Sequence, residues 1–471
     1  MKKIVCILSA VLLAVSLCSC NQLFSFLVEE EPIPTEPEAK YTDMPLTGKD
    51  IDVGYHDDEE GYHIVNRIDF FYVSGYEAKR TTHSYDALPS DEQRELYDRI
   101  LDGVYCFSDK EGSFDGEYAM RPLMLGSERF SDKLIEETLV AVLDDHPEIF
   151  WMATDFNTYY INQDAYTVTF SSYYTAAEVV RMMKKLDYAF KSFFGQLPQG
   201  LSEYEREEYV YRYIINNCTY DEEVDSSDDY GDNHPSIYNL YGVMIDQKAV
   251  CEGYSRAFDY LCSEIGVDAV CICGLASDDG DGDSDDASDL HMWNAVQFDN
   301  DWYWCDCTWD DWYEDEDLGD VFYYLNIPDD ILLADHTVDK TYREINYYKY
   351  LELESYINTF VPASCTATEY CYYLREGVVL TAPDVDKLCD GFVTAAEKDR
   401  KSLLVVVDND DYTLDAFGDA LFDGYQPYYE ALELANERLS DVRLYDDADT
   451  PYYFDDDRNL LIFEMFYEYY E

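Results

Sequence analysis

The stretch that decides the fold reads KAVCEGYSRAF and runs from residue 248 to residue 258. Cys251 is predicted to begin a helix, because Tyr254, Phe258 and Leu261 recur behind it at helical spacing. A thiol at a helix N-terminus lies at the positive end of the helix dipole, which favours the thiolate over the thiol. The sequence therefore predicts a helix that begins with a reactive cysteine.

Two predicted strands downstream carry an imidazole and a carboxylate. His291 begins HMWNAV (residues 291–296), whose side chains alternate between the two faces of a strand, and Asp306 ends the next strand. Asn300 and Asp301 are predicted to form the hairpin turn between the two strands. A cysteine, a histidine and an aspartate in this order are the residue types of a nucleophile, its general base and the group that orients the base. We expect one catalytic site built from all three.

Further side chains are predicted to complete this site. Trp293 faces the same way as His291 along its strand, and together with Trp309 it is predicted to wall the cleft and keep water out. A reaction that forms a thioester also needs donors for the developing oxyanion. The backbone N–H of Cys251 is one candidate donor, and the Tyr241 hydroxyl is a second.

Each of these residues also has an ordinary structural interpretation. A cysteine that begins a helix commonly serves packing, and a histidine in a strand is commonly a core residue with satisfied polar atoms. The functional interpretation therefore depends on the sequence blocks in which the three residues lie.

Three blocks of the chain closely resemble the transglutaminase-like superfamily. They are KAVCEGYSRAF at 248–258, HMWNAV at 291–296 and WYWCDCTWD at 302–310. The resemblance extends upstream through Tyr209–Tyr220 and downstream to Asp335 and His336, and it covers near a third of the chain.

This resemblance implies a papain-like fold with assigned roles. Cys251 is implied to be the nucleophile, His291 the general base and Asp306 the residue that orients the base. Cys307 departs from the family pattern, in which proline usually follows the aspartate, but this change removes no catalytic group.

The resemblance implies a reaction class more than a substrate. Members of the superfamily include amine-transferring cross-linkers, peptidases, amide-hydrolysing enzymes and proteins that have lost activity, and the active members share a thioester acyl-enzyme. The implied function is amine transfer or hydrolysis at protein or peptide amide bonds. The alternative is a non-catalytic surface protein that binds cell-wall, glycan or protein ligands, which the 47 tyrosines and the large flanking regions motivate. The oligomeric state does not follow from the sequence.

The N-terminus is predicted to direct the protein out of the cytoplasm. Residues 1–20 have the pattern of a lipoprotein signal peptide: Lys2 and Lys3 precede an apolar run that is too short to span a bilayer. The run ends in LCSC, which resembles a bacterial lipobox and implies lipid modification of Cys20 and a membrane anchor. An ordinary signal peptide and secretion are the alternative. Residues 21–46, rich in glutamate and proline, are predicted to be an extended tether.

The composition excludes some partners. The chain has 101 acidic residues against 32 Lys and Arg, a net charge of −69, and such a field repels nucleic acid. Eleven cysteines follow Cys20, an odd number that leaves at least one thiol unpaired. The pairs Cys271/Cys273 and Cys305/Cys307 have a spacing that a soft metal can use, but the favoured interpretation is buried packing without a metal.

An acidic loop precedes the His291 strand and reads SDDGDGDSDDASD (residues 277–289). Its closely spaced oxygens make calcium binding at Asp279, Asp281 and Asp283 a hypothesis. The spacing departs from an EF-hand, because Ser284 occupies the position of the turn glycine. A solvated loop is the favoured alternative, and no cofactor is otherwise predicted.

Overall, the sequence predicts an α+β protein with three folded regions. They are an N-terminal α/β region at 47–195, a central transglutaminase-like (papain-like) domain at 196–345 and a small C-terminal α+β domain at 346–471. Helix-capping patterns begin predicted helices at Ser90, Thr175 and Ser202. In the last region, residues 452–454 and 460–466 are predicted to form a hairpin.

Overall fold

The computed structural model confirms an α+β fold of mixed helices and strands. The structure describes residues 54–67, 75–113, 116–126, 130–162, 165–226, 234–277, 290–312, 319, 321–338, 343–347, 352–356, 358–409, 413–422, 426–445, 452–455 and 458–469. The predicted lipidation site Cys20, the tether and the calcium hypothesis at Asp279, Asp281 and Asp283 lie outside these residues.

The first region combines helices with an antiparallel sheet. Its helices are α1 (His83–Ala87), α2 (Asp91–Gly103), α3 (Asp132–Asp145) and α4 (Ala176–Gln196). Its strands are β1 (Tyr55–Asp57), β2 (His63–Val65), β3 (Cys106–Glu111), β4 (Tyr118–Met120), β5 (Leu123–Gly126), β6 (Met152–Asn162) and β7 (Ala165–Ser172). The sheet order is β1-β2-β3-β4-β7-β5, with β6 also paired to β7. Ser90 and Thr175 cap α2 and α4 as predicted, each side chain accepting a first-turn backbone N–H.

The central region places a helix against an antiparallel sheet. Its elements are α5 (Glu203–Asn217), β8 (Thr219–Tyr220), β9 (Lys248–Ala249), α6 (Cys251–Glu264), β10 (Asp268–Ala276), β11 (Leu290–Phe298), β12 (Asp301–Cys305), α7 (Cys307–Trp312), β13 (Leu325–Ile327), α8 (Asp329–Leu332) and β14 (His336–Val338). The sheet order is β13-β12-β11-β10-β14. The Asn294 amide fastens α6 to the sheet, because it donates to the backbone oxygens of Ser255 in α6 and Val270 in β10. Ser202 and Glu205 form the predicted capping box of α5.

The hairpin between β11 and β12 turns one residue earlier than the sequence predicted. Asp299 and Asn300 form the turn, and Asp301 already pairs with Phe298 as the first residue of β12. The φ angles of Asp299 and Asn300 are 51° and 75°. A two-residue turn of this kind needs positive φ at both central positions, and Asp and Asn tolerate that conformation better than most residues.

Gly274 sets the spacing of the sheet beside the site. This residue of β10 pairs with His291 in β11 on one side and with Val338 in β14 on the other. A Cβ atom at Gly274 would lie 2.1 Å from the Thr337 carbonyl oxygen and 2.6 Å from the Trp293 ring. Only a residue without a side chain allows β14 and the tryptophan to approach β10 this closely.

The C-terminal region is a second α+β unit. A linking pair, β15 (Arg343–Tyr347) and β16 (Glu352–Tyr356), precedes it. Its helices are α9 (Tyr372–Glu376), α10 (Val385–Glu397), α11 (Leu414–Phe422) and α12 (Pro427–Arg438). Its strands are β17 (Val378–Leu380), β18 (Ser402–Val407), β19 (Val442–Tyr445), β20 (Tyr452–Asp455), β21 (Leu460–Glu464) and β22 (Phe466–Tyr469). One sheet has the order β17-β18-β21-β20, and β20 and β21 form the predicted hairpin.

Buried apolar side chains link the first two regions. One core runs continuously from Trp151 and Phe190 in the first region to Phe258 and Trp293 in the central region. A separate core fills the C-terminal unit under its four-stranded sheet. The predicted boundary at residue 195 therefore crosses a shared core, and the domain limits stay a prediction. None of the described helices combines the length and the apolar character that crossing a membrane requires.

Candidate active site

Cys251 is the first residue of α6, as predicted. The first backbone N–H groups of a helix have no partner within it, so the thiol lies beside unpaired donors and the positive end of the helix dipole. Gly253 lets this end of the helix approach its neighbours, since a Cβ there would lie 2.4 Å from the Ile237 carbonyl oxygen. The Cys251 side chain is half-buried and packs against buried sulfur-containing residues: Cys271, Cys273 and Met292.

His291 joins the cysteine to the aspartate. Its Nε2 atom lies 2.6 Å from Oδ2 of Asp306, and the Cys251 thiol lies close enough to the ring to raise its pKa. Because Nε2 is engaged with Asp306, Nδ1 is the nitrogen left for the thiol. Burial alone would lower the pKa of His291, but the charge of Asp306, the hydrogen bond to Asp306 and the nearby Cys251 raise it to about 10. The structure thus brings the three predicted residues together.

Asp306 is fully buried and accepts four hydrogen bonds. Oδ1 accepts the backbone N–H groups of Thr308 at 2.9 Å and Trp309 at 3.0 Å, while Oδ2 faces His291 and His336. Burial would raise the pKa of Asp306, but the histidine partners hold it well below its usual range. The carboxylate therefore stays ionised, and its orientation is fixed by the start of α7.

Aromatic rings surround the imidazole as the sequence predicted. The Trp293 ring is fully buried and lies nearly parallel to the His291 ring, with centroids 6.0 Å apart. The Trp309 ring lies at the same centroid distance in a tilted orientation. Apolar walls of this kind strengthen the electrostatic interactions between the groups that they enclose.

The Tyr241 ring packs against a residue of the first region. That residue is Phe150, with ring centroids 5.6 Å apart, and burial together with the neighbouring Asp246 and Tyr174 raises the pKa of Tyr241. None of these contacts involves the cysteine or the histidine of the site. The oxyanion role of Tyr241 stays a prediction without a supporting contact.

His336 is the member of the site that sequence reasoning missed. It begins β14 at the edge of the sheet and is fully buried. Its Nε2 atom lies 3.1 Å from Oδ2 of Asp306, and its Nδ1 atom lies 2.5 Å from Oδ1 of Asp335. The only signal in the sequence was the position of Asp335 and His336 at the downstream limit of the family resemblance, which carried no role.

Among the residues that the structure describes, His291, Asp306 and His336 form a cluster that could hold a metal ion. Ligand atoms of His291, Asp306 and His336 all lie within 4.8 Å of one another. Both imidazoles, however, direct a nitrogen at the same carboxylate oxygen, at 2.6 and 3.1 Å. Distances in this range are those of hydrogen bonds, so the arrangement is that of a proton-sharing network.

The remaining cysteines behave as packing residues. All eleven cysteines after Cys20 are free thiols, and all except Cys106 and Cys251 are buried. The Cys305 thiol donates a hydrogen bond to the Glu207 carboxyl group, and burial raises its pKa well above the ordinary value. Protonated, hydrogen-bonded thiols of this kind fit the packing interpretation better than a soft-metal site.

Part of the chain matches a known family model. Residues 195–307 match the family model described as the transglutaminase-like superfamily. The kyphoscoliosis peptidase of Mus musculus is 28% identical over 151 residues, which are 30% of this chain and 22% of that protein. The chain thus spans less than a quarter of this relative's length.

Two solved structures are similar over part of the chain. A TGase shares 17% identity over 40% of this chain and 52% of its own, with a TM-score of 0.23. A Cytophaga hutchinsonii protein, proposed to be a cysteine protease, shares 10% identity over 42% of this chain and 69% of its own, with a TM-score of 0.20.

Proposed function

We propose that this protein is a cysteine enzyme that acts on amide bonds of proteins or peptides, a proposal that the match of residues 195–307 to the transglutaminase-like superfamily supports. The observation that carries the proposal is the placement of Cys251 at the helix N-terminus beside His291, whose Nε2 lies 2.6 Å from the buried Asp306 carboxylate. A thiol at a helix N-terminus, an imidazole against it and a buried carboxylate behind the imidazole together favour the thiolate–imidazolium pair.

The proposed reaction proceeds through a thioester. The Cys251 sulfur attacks the amide carbonyl carbon, and the carbon–nitrogen bond breaks as His291 returns the thiol proton to the leaving amine or ammonia. A second amine or a water molecule then attacks the thioester, loses a proton to His291 and releases the cysteine. Asp306 keeps the imidazole oriented through both steps. Amine attack gives a new amide, and water attack gives a carboxylic acid.

Two assays separate these outcomes. Wild-type protein and Cys251→Ala are incubated with a glutamine peptide and a labelled primary amine, and in parallel with unlabelled proteins and peptides whose termini are read by mass spectrometry. Incorporated amine indicates a transferase, and new termini indicate a peptidase. Cys251→Ala is expected to abolish either product.

Cys106 provides a matched control inside the same molecule. It is the other half-buried cysteine after Cys20, it lies in β3, and partial removal from water raises its pKa. Iodoacetamide labelling across pH is expected to modify Cys251 well below the pH at which Cys106 reacts, and Cys106→Ala is expected to retain activity. Equal labelling profiles for the two thiols, with no product in either assay, would rule out the proposed enzyme.

We further propose that the protein is anchored outside the cytoplasm by lipid on Cys20. The support is the charged, apolar and LCSC pattern of residues 1–20. Metabolic labelling with an alkyne fatty acid is expected to tag the wild-type protein in a bacterial host, and Cys20→Ala is expected to lose the tag. A wild-type protein without the tag contradicts the anchor.

A further inference from the structure

The Asp306 carboxylate is shared by two imidazoles rather than one. The Nε2 atoms of His291 and His336 both lie within hydrogen-bond distance of the same oxygen, Oδ2. The other side of the His291 ring faces the Cys251 thiol, and the other nitrogen of His336 faces Asp335. A neutral histidine can donate from only one nitrogen. The His336 ring can satisfy both carboxylates only when both of its nitrogens carry protons.

The surroundings of His336 hold its ring in place. The side chain is fully buried, with the Trp309 ring centroid at 4.4 Å and the Trp293 centroid at 5.0 Å. Rotation of the ring would move its nitrogens away from both carboxylates and into these apolar neighbours. A buried, unpaired nitrogen is costly, so the packing selects the orientation that points at Asp306.

The network continues away from the site. Oδ2 of Asp335 accepts a hydrogen bond of 2.6 Å from the Tyr324 hydroxyl, and the Tyr324 ring lies under the Arg458 guanidinium at 4.5 Å. The titratable groups that face His336 are therefore Asp306, Asp335, His291 and Tyr324. Among the described residues, those that face the thiol are His291, Cys271 and Cys273.

We propose that His336 is a positioning residue, which holds Asp306 ionised and oriented toward His291 and thereby promotes thiolate formation at Cys251 without contacting substrate. The inference rests on the proposed function, because it adds a member to the same site. Its physical basis is that outer hydrogen-bond partners fix the geometry and charge of the groups they support, and losing such a partner typically costs about 10-fold to 100-fold.

The test is the pH dependence of iodoacetamide alkylation at Cys251, which needs no substrate. His336→Phe keeps a ring but removes both nitrogens that face the two carboxylates. Without this support for Asp306 the thiolate is disfavoured, so the acid limb of the profile is expected to move up by about 1 pH unit, with about tenfold slower alkylation at neutral pH. His336→Gln keeps one donor for Asp306 and is expected to lose only about threefold.

Two further variants separate positioning from general damage. Asp335→Asn still offers a hydrogen-bond partner to Nδ1, so the His336 ring keeps its orientation and can continue to donate to Asp306, and the acid limb is expected to stay near that of wild type. His83→Gln is the matched control: His83 also faces a buried carboxylate, at 2.9 Å from Asp268, but outside this network. Its profile is expected to match wild type.

The outcomes distinguish this inference from the proposed function. A wild-type Cys251 that alkylates only in the ordinary thiol range overturns the proposed function and, with it, the role of His336. An activated wild-type Cys251 with an unchanged profile in folded His336→Phe overturns the inference alone. If His336→Phe does not fold, His336→Gln decides: a profile identical to wild type in rate and acid limb contradicts the positioning role.

Discussion

At the scale of single residues, the site depends on the charge of Asp306. In Asp306→Asn an amide replaces a carboxylate that accepts four N–H groups, so at least one donor pair must face the amide NH₂ group. The imidazolium of His291 also loses its counter-charge. By the precedent of Asp-to-Asn changes in nucleophile–histidine–aspartate sites, activity is expected to fall by about 10³-fold to 10⁴-fold.

The measurement is the initial rate of amine incorporation or peptide cleavage, whichever the wild-type protein catalyses, at matched thermal stability. Asp330→Asn is a suitable control, because that acid lies in α8 and is exposed, whereas Asp306 is fully buried. A rate for Asp306→Asn within about threefold of wild type would show that the carboxylate charge is dispensable.

The sequence was sufficient to predict those site residues whose reactive side chains occur in a recognisable order. Cys251, His291 and Asp306 are reactive types in a recognisable order, and the alternation along the His291 strand also placed Trp293 correctly. His336 escaped because it lies 30 residues beyond Asp306. Nothing in a sequence states that the strand after α8 returns to the opposite edge of the sheet, and only that return brings the second imidazole to the carboxylate.

At the scale of elements, the close contact of β10 with β14 positions His336. Gly274→Ala places a Cβ against the Thr337 carbonyl and the Trp293 ring, and the strand must shift to accommodate it. Overpacking of this kind typically costs about 1–3 kcal/mol, and here the shift also displaces His336 from Asp306. The variant is expected to lower both the thermal midpoint and the rate of Cys251 alkylation.

Gly103→Ala is the control for that experiment. Gly103 ends α2, and a Cβ atom there meets no other atom within 4 Å. An alanine at such a position is expected to be neutral or to stabilise by a few tenths of a kcal/mol to about 1 kcal/mol. A Gly274→Ala protein as stable and as reactive as the Gly103→Ala protein would contradict the close-contact argument.

A buried glutamate ties α5 to the central sheet. Glu207 is fully buried, accepts a hydrogen bond of 2.6 Å from the Asn326 amide in β13, and accepts another from the Cys305 thiol in β12. Burial raises the pKa of Glu207 to about 8, although both hydrogen bonds oppose the shift. An acid with a raised folded pKa stabilises the fold fully below its unfolded pKa, and this contribution is lost as the pH rises through about 8.

The effect of Glu207→Gln on the thermal midpoint is therefore expected to change sign with pH. At pH 9 the neutral amide avoids a buried charge, and the variant is expected to have the higher thermal midpoint; at pH 5 wild type is expected to equal or exceed it. Melting curves for both proteins across this range measure the crossing. A variant that is less stable than wild type by the same amount at every pH contradicts the titration of Glu207.

The elements themselves were the most predictable level of the fold. Capping signals at Ser90, Thr175 and Ser202 gave the starts of three helices, because a cap is a local event that needs only neighbouring residues. The β11–β12 turn was misplaced by one residue, since Asp299, Asn300 and Asp301 are all good turn formers. Strand order and the shared core stayed beyond sequence reasoning, because both depend on contacts between distant segments.

At the scale of the whole molecule, the buried carboxyl groups and the net charge of −69 both make the fold less stable as the pH rises. Burial raises the pKa of Asp144 and of Asp310 to about 7 and that of Glu207 to about 8. Each of these groups stabilises the fold while it is protonated and loses that contribution as the pH rises through its folded pKa. The general repulsion among surface acids also grows with pH and falls with added salt.

Both causes predict that the thermal midpoint decreases as the pH is raised from 5 to 9. Added salt distinguishes one cause from the other. At about 1 M NaCl the screening length is about 3 Å, so surface repulsion is largely removed, whereas buried groups are screened much less. The decrease of the thermal midpoint with pH is expected to become smaller in salt but to persist. Glu207→Gln is expected to reduce further the decrease that remains in salt. If the dependence on pH disappears in salt, surface charge alone accounts for it, and the buried carboxyl groups contribute nothing to the response.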